Sequence, residues 1–231
     1  MALKDGVVAG WIGGTTTDIT GRPNQLYNPD RVPTIVSGVN GGHAYYFNRP
    51  TQPEDLGGYL VASMTSDLQI GKENTTVAMW IKNLDYQQYN PIYISDTFGT
   101  NILNSDFGEE QDSGTYFNGL ILANELTNSW HFFVMEITTD TITAYTDTII
   151  QNSIEFTPVT YFEDEFLIGK RDDNPTTYNA GKFYLGDMYI WNRVLTTDEI
   201  TTLYNSGNGL SYPFETATEN TTNFFRLRKR R

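Results

Sequence analysis

Hydrophobic and polar residues alternate in short runs along most of the chain, the pattern of half-buried β-strands. The clearest run, residues 75–83 (TTVAMWIKN), places Val77, Met79 and Ile81 on one face and further apolar residues on the other. Two apolar faces are typical of a central strand between two layers. We predict further strands at residues 7–12, 43–48, 59–63, 90–96, 114–124, 129–138, 141–147, 149–156, 165–170 and 182–192.

Short polar breaks separate several of these runs. Thr139-Asp140 and Asp147-Thr148 each have the length of a tight β-hairpin turn. Ten or more short strands joined by polar turns are typical of two antiparallel sheets packed face to face. The pattern therefore predicts an all-β fold built as a two-sheet antiparallel sandwich.

One segment, residues 196–207 (TTDEITTLYNSG), follows the helical period instead. With Thr196 as the N-cap, Glu199 takes the third helical position, the pattern of a capping box. Gly207 is placed to end the helix in the left-handed conformation. Since so short a helix is not stable alone, we expect it to pack on the sandwich, most directly on the preceding strand. Its apolar stripe at i, i+3 and i+4 is Ile200, Leu203 and Tyr204.

Composition and charge narrow the functional classes. The 231 residues are 39% hydrophobic and 14% aromatic, enough for a substantial core. The net charge is −13, yet five of the 15 basic residues lie in the last nine positions, so the remaining body is strongly acidic. An acidic body repels phosphate backbones, so we do not expect nucleic-acid binding except through the basic tail.

Several kinds of site and segment are not predicted at all. The chain has no cysteine, which excludes disulfides, thiolate metal sites and cysteine nucleophiles. Residues 1–14 do not have the pattern of a signal peptide, and no apolar run approaches the length of a membrane span. No Gly-x-Ser-x-Gly motif supports a serine hydrolase.

A set of short motifs, each weak alone, occurs in a specific order: DGVVAGW (5–11), HAYYFNR (43–49), TTVAMWIK (75–82), WHFFVMEI (130–137), TAYTDT (143–148), FLIGK (166–170) and the segment 183–207. Their order and spacing resemble the laminin-G-like domains of the concanavalin A-like lectin/glucanase superfamily over roughly residues 5–213. Thr148 departs from the pattern, since the family usually has glycine there. In the family motif His131 is a structural residue that follows Trp130.

The resemblance implies a jelly-roll that is mostly non-catalytic and binds carbohydrate or protein, sometimes with a calcium ion. Such folds also occur in virion surface and capsid proteins. We expect one such domain over residues 1–213, followed by a C-terminal extension, 214–231, that carries a basic arm.

Hydrolases of this superfamily carry a Glu-x-Asp-x-x-Glu pattern. The nearest match is FEDEFLIG (162–169), where Glu163 and Glu165 share a face and Asp164 lies on the other. Ile168 stands where the third carboxylate is needed. We therefore predict that the chain is not an enzyme, and a glycoside hydrolase or lyase remains an alternative.

Sugar sites usually combine aromatic side chains with polar groups on loops. Loop tyrosines can equally brace the rim of a sandwich. The carbohydrate-binding candidates in or beside predicted loops are Tyr86, Tyr89, Tyr116, Phe117 and Tyr178.

Two acidic loops could supply oxygen ligands to calcium, although neither has EF-hand spacing, which favours hydrated loops without a metal. No other cofactor is expected. The candidate ligands are Asp106, Glu109, Glu110 and Asp112 in one loop, and Asp172 and Asp173, with Asn174, in the other.

The tail is either a solvated end or a basic arm that binds acidic protein or nucleic acid. With the lone domain and the absent signal peptide, its charge predicts a non-catalytic virion structural protein: a capsid-associated, decoration or fibre component that contacts neighbouring subunits or a host glycan and is made in the host cytoplasm. A stand-alone carbohydrate-binding module is the alternative. The arm residues are Arg226, Arg228, Lys229, Arg230 and Arg231.

Overall fold

The structure, a computed structural model, describes residues 2–27, 33–48, 58–63, 68, 73–84, 92–96, 101–106, 114–117, 120–123, 128–155, 157, 165–169 and 182–215. These residues form antiparallel β-strands and one short α-helix, as the alternating pattern predicts. The elements are β1 Val7–Trp11, β2 Thr34–Ser37, β3 His43–Phe47, β4 Leu60–Ser63, β5 Thr75–Asn83, β6 Ile92–Asp96, β7 Asn101–Asp106, β8 Gly114–Phe117, β9 Leu120–Ala123, β10 His131–Ile137, β11 Thr141–Thr146, β12 Ile149–Glu155, β13 Glu165–Ile168, β14 Phe183–Trp191 and α1 Thr197–Tyr204.

The described strands form two antiparallel sheets. The large sheet has the order β12-β11-β10-β5-β14-β3-β2, and β1 also pairs with β14. The small sheet has the order β4-β13-β6-β7-β8-β9. Strand β5 lies between β10 and β14, which confirms the central position predicted from its two apolar faces.

The main core lies between the two sheets. Alternate residues of each strand face inward, so β5 contributes Val77, Met79 and Ile81, all at most 2% exposed. From the small sheet, Leu60 and Ile168 enter the same cluster with no exposed surface. The sandwich is therefore held by apolar burial between facing strands, each large side chain contributing about 2 kcal/mol.

A second apolar cluster covers the outer face of the large sheet. Its floor consists of outward-facing strand residues such as Trp80 and Trp191, which are 5% and 0% exposed. Helix α1 and the segment after it lie over this floor, and the ring of Phe214 lies 5.9 Å from that of Trp191. The helix therefore completes a second core on the outside of the sandwich, rather than packing on the preceding strand alone.

The predicted capping box is confirmed at the start of α1. The Thr196 hydroxyl accepts from the Glu199 backbone N–H at 3.3 Å, and the Thr196 N–H donates to Glu199 Oε2 at 2.9 Å. The predicted end is wrong by two residues, because Asn205 already adopts the left-handed conformation, with φ 49°. Asparagine is among the few non-glycine residues that tolerate this region. No helix of the described residues is long and apolar enough to cross a membrane.

Three details of the strand prediction are wrong. Strands β2 and β7 lie where no strand is predicted, and Asp106, predicted in an acidic loop, is the last residue of β7. The single strand predicted at 114–124 is two paired strands, β8 and β9. Both predicted hairpin turns are present: β10 pairs with β11 and β11 with β12.

Candidate functional site

A row of half-buried side chains crosses the outer face of the large sheet beside the second cluster. Tyr184 of β14 is the register partner of Tyr46 on β3 and of Lys82 on β5. Trp130 directly precedes β10, the next strand across. Residues at one level of an antiparallel sheet point to the same side, so the four side chains form one transverse row. We call Tyr46, Tyr184, Lys82 and Trp130 the aromatic row.

The Tyr184 ring is the centre of this row. The Tyr46 ring meets it edge-on, with centroids 5.3 Å apart and planes at 77°. The Trp130 ring lies 6.0 Å away with its plane tilted by 34°. These are ordinary geometries of attractive aromatic pairs, which fix the three rings against one another. Each ring is only partly buried, so the row also presents aromatic surface to solvent.

A glycine lies beside the row. A Cβ on Gly186 would lie 3.1 Å from Trp80 Cβ, a tight contact, and 3.7 Å from Trp130 Cζ3, an ordinary contact distance, so a side chain here would crowd Trp80 first. Trp80 in turn stacks on Tyr204 of α1, with centroids 5.8 Å apart. The row therefore rests directly on the second cluster and on the helix that covers it.

Polar groups border the rings. The Tyr46 hydroxyl donates to Asn48 Oδ1 at 3.1 Å, and Asn48 is exposed. The exposed Thr34 of β2 is the register partner of Tyr46. Lys82 Nζ lies 5.8 Å from the centroid of the Tyr184 ring, within cation–π distance. An amide, two hydroxyls and an ammonium group thus surround partly exposed aromatic faces, the combination that stacks on a sugar ring and bonds its hydroxyls.

Two other polar clusters have structural roles. Asp18 is 3% exposed and accepts hydrogen bonds from the Gly10 and Thr20 backbone N–H groups, the Thr20 hydroxyl and the Asn24 amide. Four such bonds satisfy the carboxylate and hold the loop after β1. The Asp18 cluster therefore has a structural role in the fold.

His131, predicted to be structural, contacts the turn between β11 and β12. Its Nδ1 lies 2.8 Å from Asp147 Oδ2, while Asp147 Oδ1 accepts from the Phe132 N–H at 2.9 Å. Asp147 therefore joins the hairpin turn to the start of β10, and His131 is positioned by that contact.

Glu136 is a buried acid on the outer face of the large sheet. It is 5% exposed, and its Oε2 accepts from the Tyr145 hydroxyl at 2.9 Å. Its other oxygen, Oε1, has no hydrogen-bond partner among the described residues. Burial raises the pKa of the Glu136 carboxyl, and raises the pKa of Tyr145 to about 12. Glu136 is thus an acid whose charged form the fold tolerates poorly.

Most of the predicted site residues lie outside the described part of the chain. Tyr116 and Phe117 are the last two residues of β8, next to the link between β8 and β9, and Glu165 is the first of β13. In the described ranges, no three acidic or histidine side chains converge as a metal site. The residues outside are Tyr86, Tyr89, Glu109, Glu110, Asp112, Glu163, Asp164, Asp172, Asp173, Tyr178, Arg226, Arg228, Lys229, Arg230 and Arg231.

Sequence reasoning missed the aromatic row, because its members come from four separate segments of the chain. The signal that could have found it is the outward-facing position of Tyr46, Lys82 and Tyr184, each next to an inward-facing core residue in the alternating pattern. The alternating pattern does not give the strand order and register, which align these positions across the sheet.

The fold matches several solved structures at low sequence identity. The binding domain of botulinum neurotoxin DC in complex with rat synaptotagmin II has a TM-score of 0.61 and 12% identity, over 87% of this chain and 52% of that one. A complex of the same binding domain with SialylT has a TM-score of 0.62 and 12% identity, over 89% of this chain and 52% of that one. A third match is domain 4 of AbnA, a GH43 extracellular arabinanase from Geobacillus stearothermophilus, in complex with arabinotriose. It has a TM-score of 0.61 and 14% identity, over 84% of this chain and 96% of that one.

The chain spans about half the length of the neurotoxin binding domains that it matches. No curated protein sequence matches it. A laminin G family model, described as concanavalin A-like lectin/glucanases superfamily, matches residues 56–201, more than half of the chain. With two antiparallel sheets and one short terminal helix, the chain therefore belongs to the concanavalin A-like lectin/glucanases superfamily.

Proposed function

We propose that this β-sandwich is a non-catalytic glycan-binding domain, and that the aromatic row is its sugar site. The observation that carries the proposal is the cross-strand row itself, in which the three partly exposed rings of Tyr46, Tyr184 and Trp130 are fixed beside the polar side chain of Asn48. A sugar ring can stack on the aromatic faces while its hydroxyls bond to the polar groups.

Two further facts support a binding role. The fold neighbours include a domain in complex with arabinotriose and a binding domain in complex with SialylT. Three of the described carboxylates, Asp18, Asp147 and Glu136, are buried or engaged in hydrogen bonds within the fold, which leaves these three unsuited to act on a bound sugar. We infer a domain that holds a glycan without cleaving it.

The test is binding to a glycan array followed by calorimetry on the sugars found. Tyr184→Ala should weaken binding by about tenfold or more, because it removes the central ring of the row. Tyr27→Ala is the matched control, since Tyr27 is 42% exposed and its backbone pairs with Val61 of the small sheet. Equal affinity of the Tyr184 variant and the wild-type protein would refute the site, and no sugar bound by the wild-type protein would refute the function.

A finer proposal concerns where the domain acts. An acidic body with a cationic arm suits contact between subunits, so we propose a capsid-associated, decoration or fibre role in a virion, with the arm contacting neighbouring subunits. Many copies of the chain in purified particles would support this role. Deletion of residues 223–231 should then prevent incorporation while leaving the melting temperature unchanged. Incorporation of the deleted chain at the wild-type level would argue against the arm.

A further inference from the structure

Two lysines flank the centre of the aromatic row. Lys82 is the register partner of Tyr184, with its ammonium group 5.8 Å from the ring centroid. Lys182 precedes Tyr184 by two residues, and its carbonyl accepts from the Leu84 N–H at 3.1 Å, so the pairing of β14 with β5 continues through it. Side chains two residues apart along a strand share a face, which places Lys182 on the same face as the row.

These lysines are unusual in this chain because cations are scarce outside the tail. The lysines and arginines of the described residues are Lys4, Arg22, Lys82, Lys182 and Arg193. Arg193 forms an ion pair with Glu199, whereas in the described ranges no carboxylate lies within ion-pair distance of either lysine beside the row. Two cations that the described part leaves without an anion therefore stand next to the partly exposed rings.

On this geometry, we propose that the aromatic row selects oligosaccharides that carry an isolated carboxylate, such as a uronic or sialic acid residue. The inference rests on the proposed function and names its ligand class. The sugar ring stacks on Tyr184 or Trp130, and its carboxylate meets the ammonium groups of Lys82 and Lys182. Charge-assisted hydrogen bonds of this kind are shorter and stronger than those between neutral groups.

The net charge of the domain limits which acidic oligosaccharides it can bind. Outside the last nine residues the chain has ten basic residues against 28 acidic ones, so the body carries a large negative charge. A densely charged polyanion would be repelled by that field, whereas a single carboxylate is attracted by the two nearby ammonium groups. We therefore expect weak binding of highly sulfated polymers and stronger binding of oligosaccharides with one acidic residue.

The experiment compares matched sugars on the full chain. Each probe is an oligosaccharide ending in a uronic acid, paired with the same oligosaccharide whose carboxyl is reduced to a hydroxymethyl group. The wild-type protein should bind the acidic member at least about tenfold more tightly, and added salt should reduce that preference. The double variant Lys82→Gln with Lys182→Gln should lose the preference and bind the two members with equal affinity.

One control variant tests whether the preference depends on these two lysines. Lys4→Gln removes an exposed lysine of the N-terminal segment, and it should keep the preference. Binding of both members with equal affinity would overturn this inference and leave the proposed function standing. Binding of neither member by the wild-type protein, together with an empty glycan array, would overturn both. An unchanged preference in the double variant would also overturn the role of the lysines.

Discussion

The phenol ring of Tyr204 stacks on the indole of Trp80, with centroids 5.8 Å apart and planes at 16°. This contact joins the last turn of α1 to the middle of the large sheet, directly beside Trp130 and Gly186. The helix therefore supports the aromatic row as well as closing the outer cluster.

Tyr204→Ala should lower the free energy of unfolding by about 2 kcal/mol, because it removes a half-buried ring and its stacking contact. Denaturant unfolding measures the loss. Tyr204→Phe keeps the ring that stacks on Trp80 and removes only the hydroxyl, so it should be close to wild type. A loss equal in the two variants would contradict the role of stacking.

The ion pair at the start of α1 should make stability depend on acid pH. Arg193 donates to both oxygens of Glu199, at 2.8 and 2.7 Å, and these bonds lower the pKa of Glu199 to about 2. A lowered pKa stabilises the fold above the unfolded pKa, near 4.5, and the stabilisation is lost as the pH falls towards 2. Glu199→Gln should cost about 2 kcal/mol at neutral pH and almost nothing at the acid end.

Thermal unfolding of both proteins across that pH range provides the measurement. Asp198→Asn is the control, because Asp198 is exposed in the same helical turn and is not part of the capping box. A cost of Glu199→Gln that did not change with pH would contradict the assignment.

Glu136 should have the opposite pH dependence. Burial raises the pKa of the Glu136 carboxyl in the folded protein. Its contribution to the stability of the fold is therefore fully present below the pKa of the unfolded chain, and is lost as the pH rises through the pKa of the folded protein. Glu136→Gln, which keeps an acceptor for the Tyr145 hydroxyl, should therefore gain stability relative to wild type as the pH rises from about 4 to about 7. Melting curves of both proteins at the two pH values measure this gain. A stability advantage of the variant that shrinks as the pH rises would contradict the prediction.

The turn between β11 and β12 contains a strained threonine. Asp147 and Thr148 have φ values of 51° and 74°, the left-handed region that a type I′ turn requires at both positions. A β-branched residue is strained there, whereas glycine is not. Thr148→Gly should raise the free energy of unfolding by about 1 kcal/mol. Thr139→Gly, in the preceding hairpin turn where φ is not positive, should not stabilise; equal gains in both variants would contradict the explanation.

The two acidic segments that could supply calcium ligands lie mostly outside the described residues. Because Asp106 ends a strand and the spacing fits no calcium loop, we expect hydrated acids and no bound metal. The melting temperature should be the same in millimolar calcium and in chelator. A rise with calcium would instead indicate a site, and Asp112→Asn with Asp173→Asn would then show which loop provides it.

Local patterns in the sequence were enough for much of the fold. The run from Thr75 to Asn83 has the bounds of β5, and the Thr196–Glu199 spacing predicts the helix start, because both depend on neighbouring residues. The sequence also contains the signal that separates β8 from β9. Asn118-Gly119, between Phe117 and Leu120, is the dipeptide that most strongly predicts a β-hairpin turn.

Other elements could not be predicted from local pattern. Strand β7, with Asn101 and Asn104, has low β-propensity and forms because β6 and β8 pair with it. The same limit applies to the aromatic row. Tyr46 and Tyr184 are far apart in the chain, and only the pairing of β3 with β14 brings them together.

The positions of Leu3 and Phe214, near the two ends of the described residues, have a practical consequence for binding assays. The Trp191 indole donates to the Leu3 carbonyl, and Phe214 packs beside the same indole, so both ends of the described chain reach the outer face of the large sheet. Attachment at residues 2–3 or 214–215 would place the support on the face that carries the aromatic row and hinder the access of sugars. Coupling through a cysteine introduced at Tyr27, on the side of the small sheet, would leave that face open to solution.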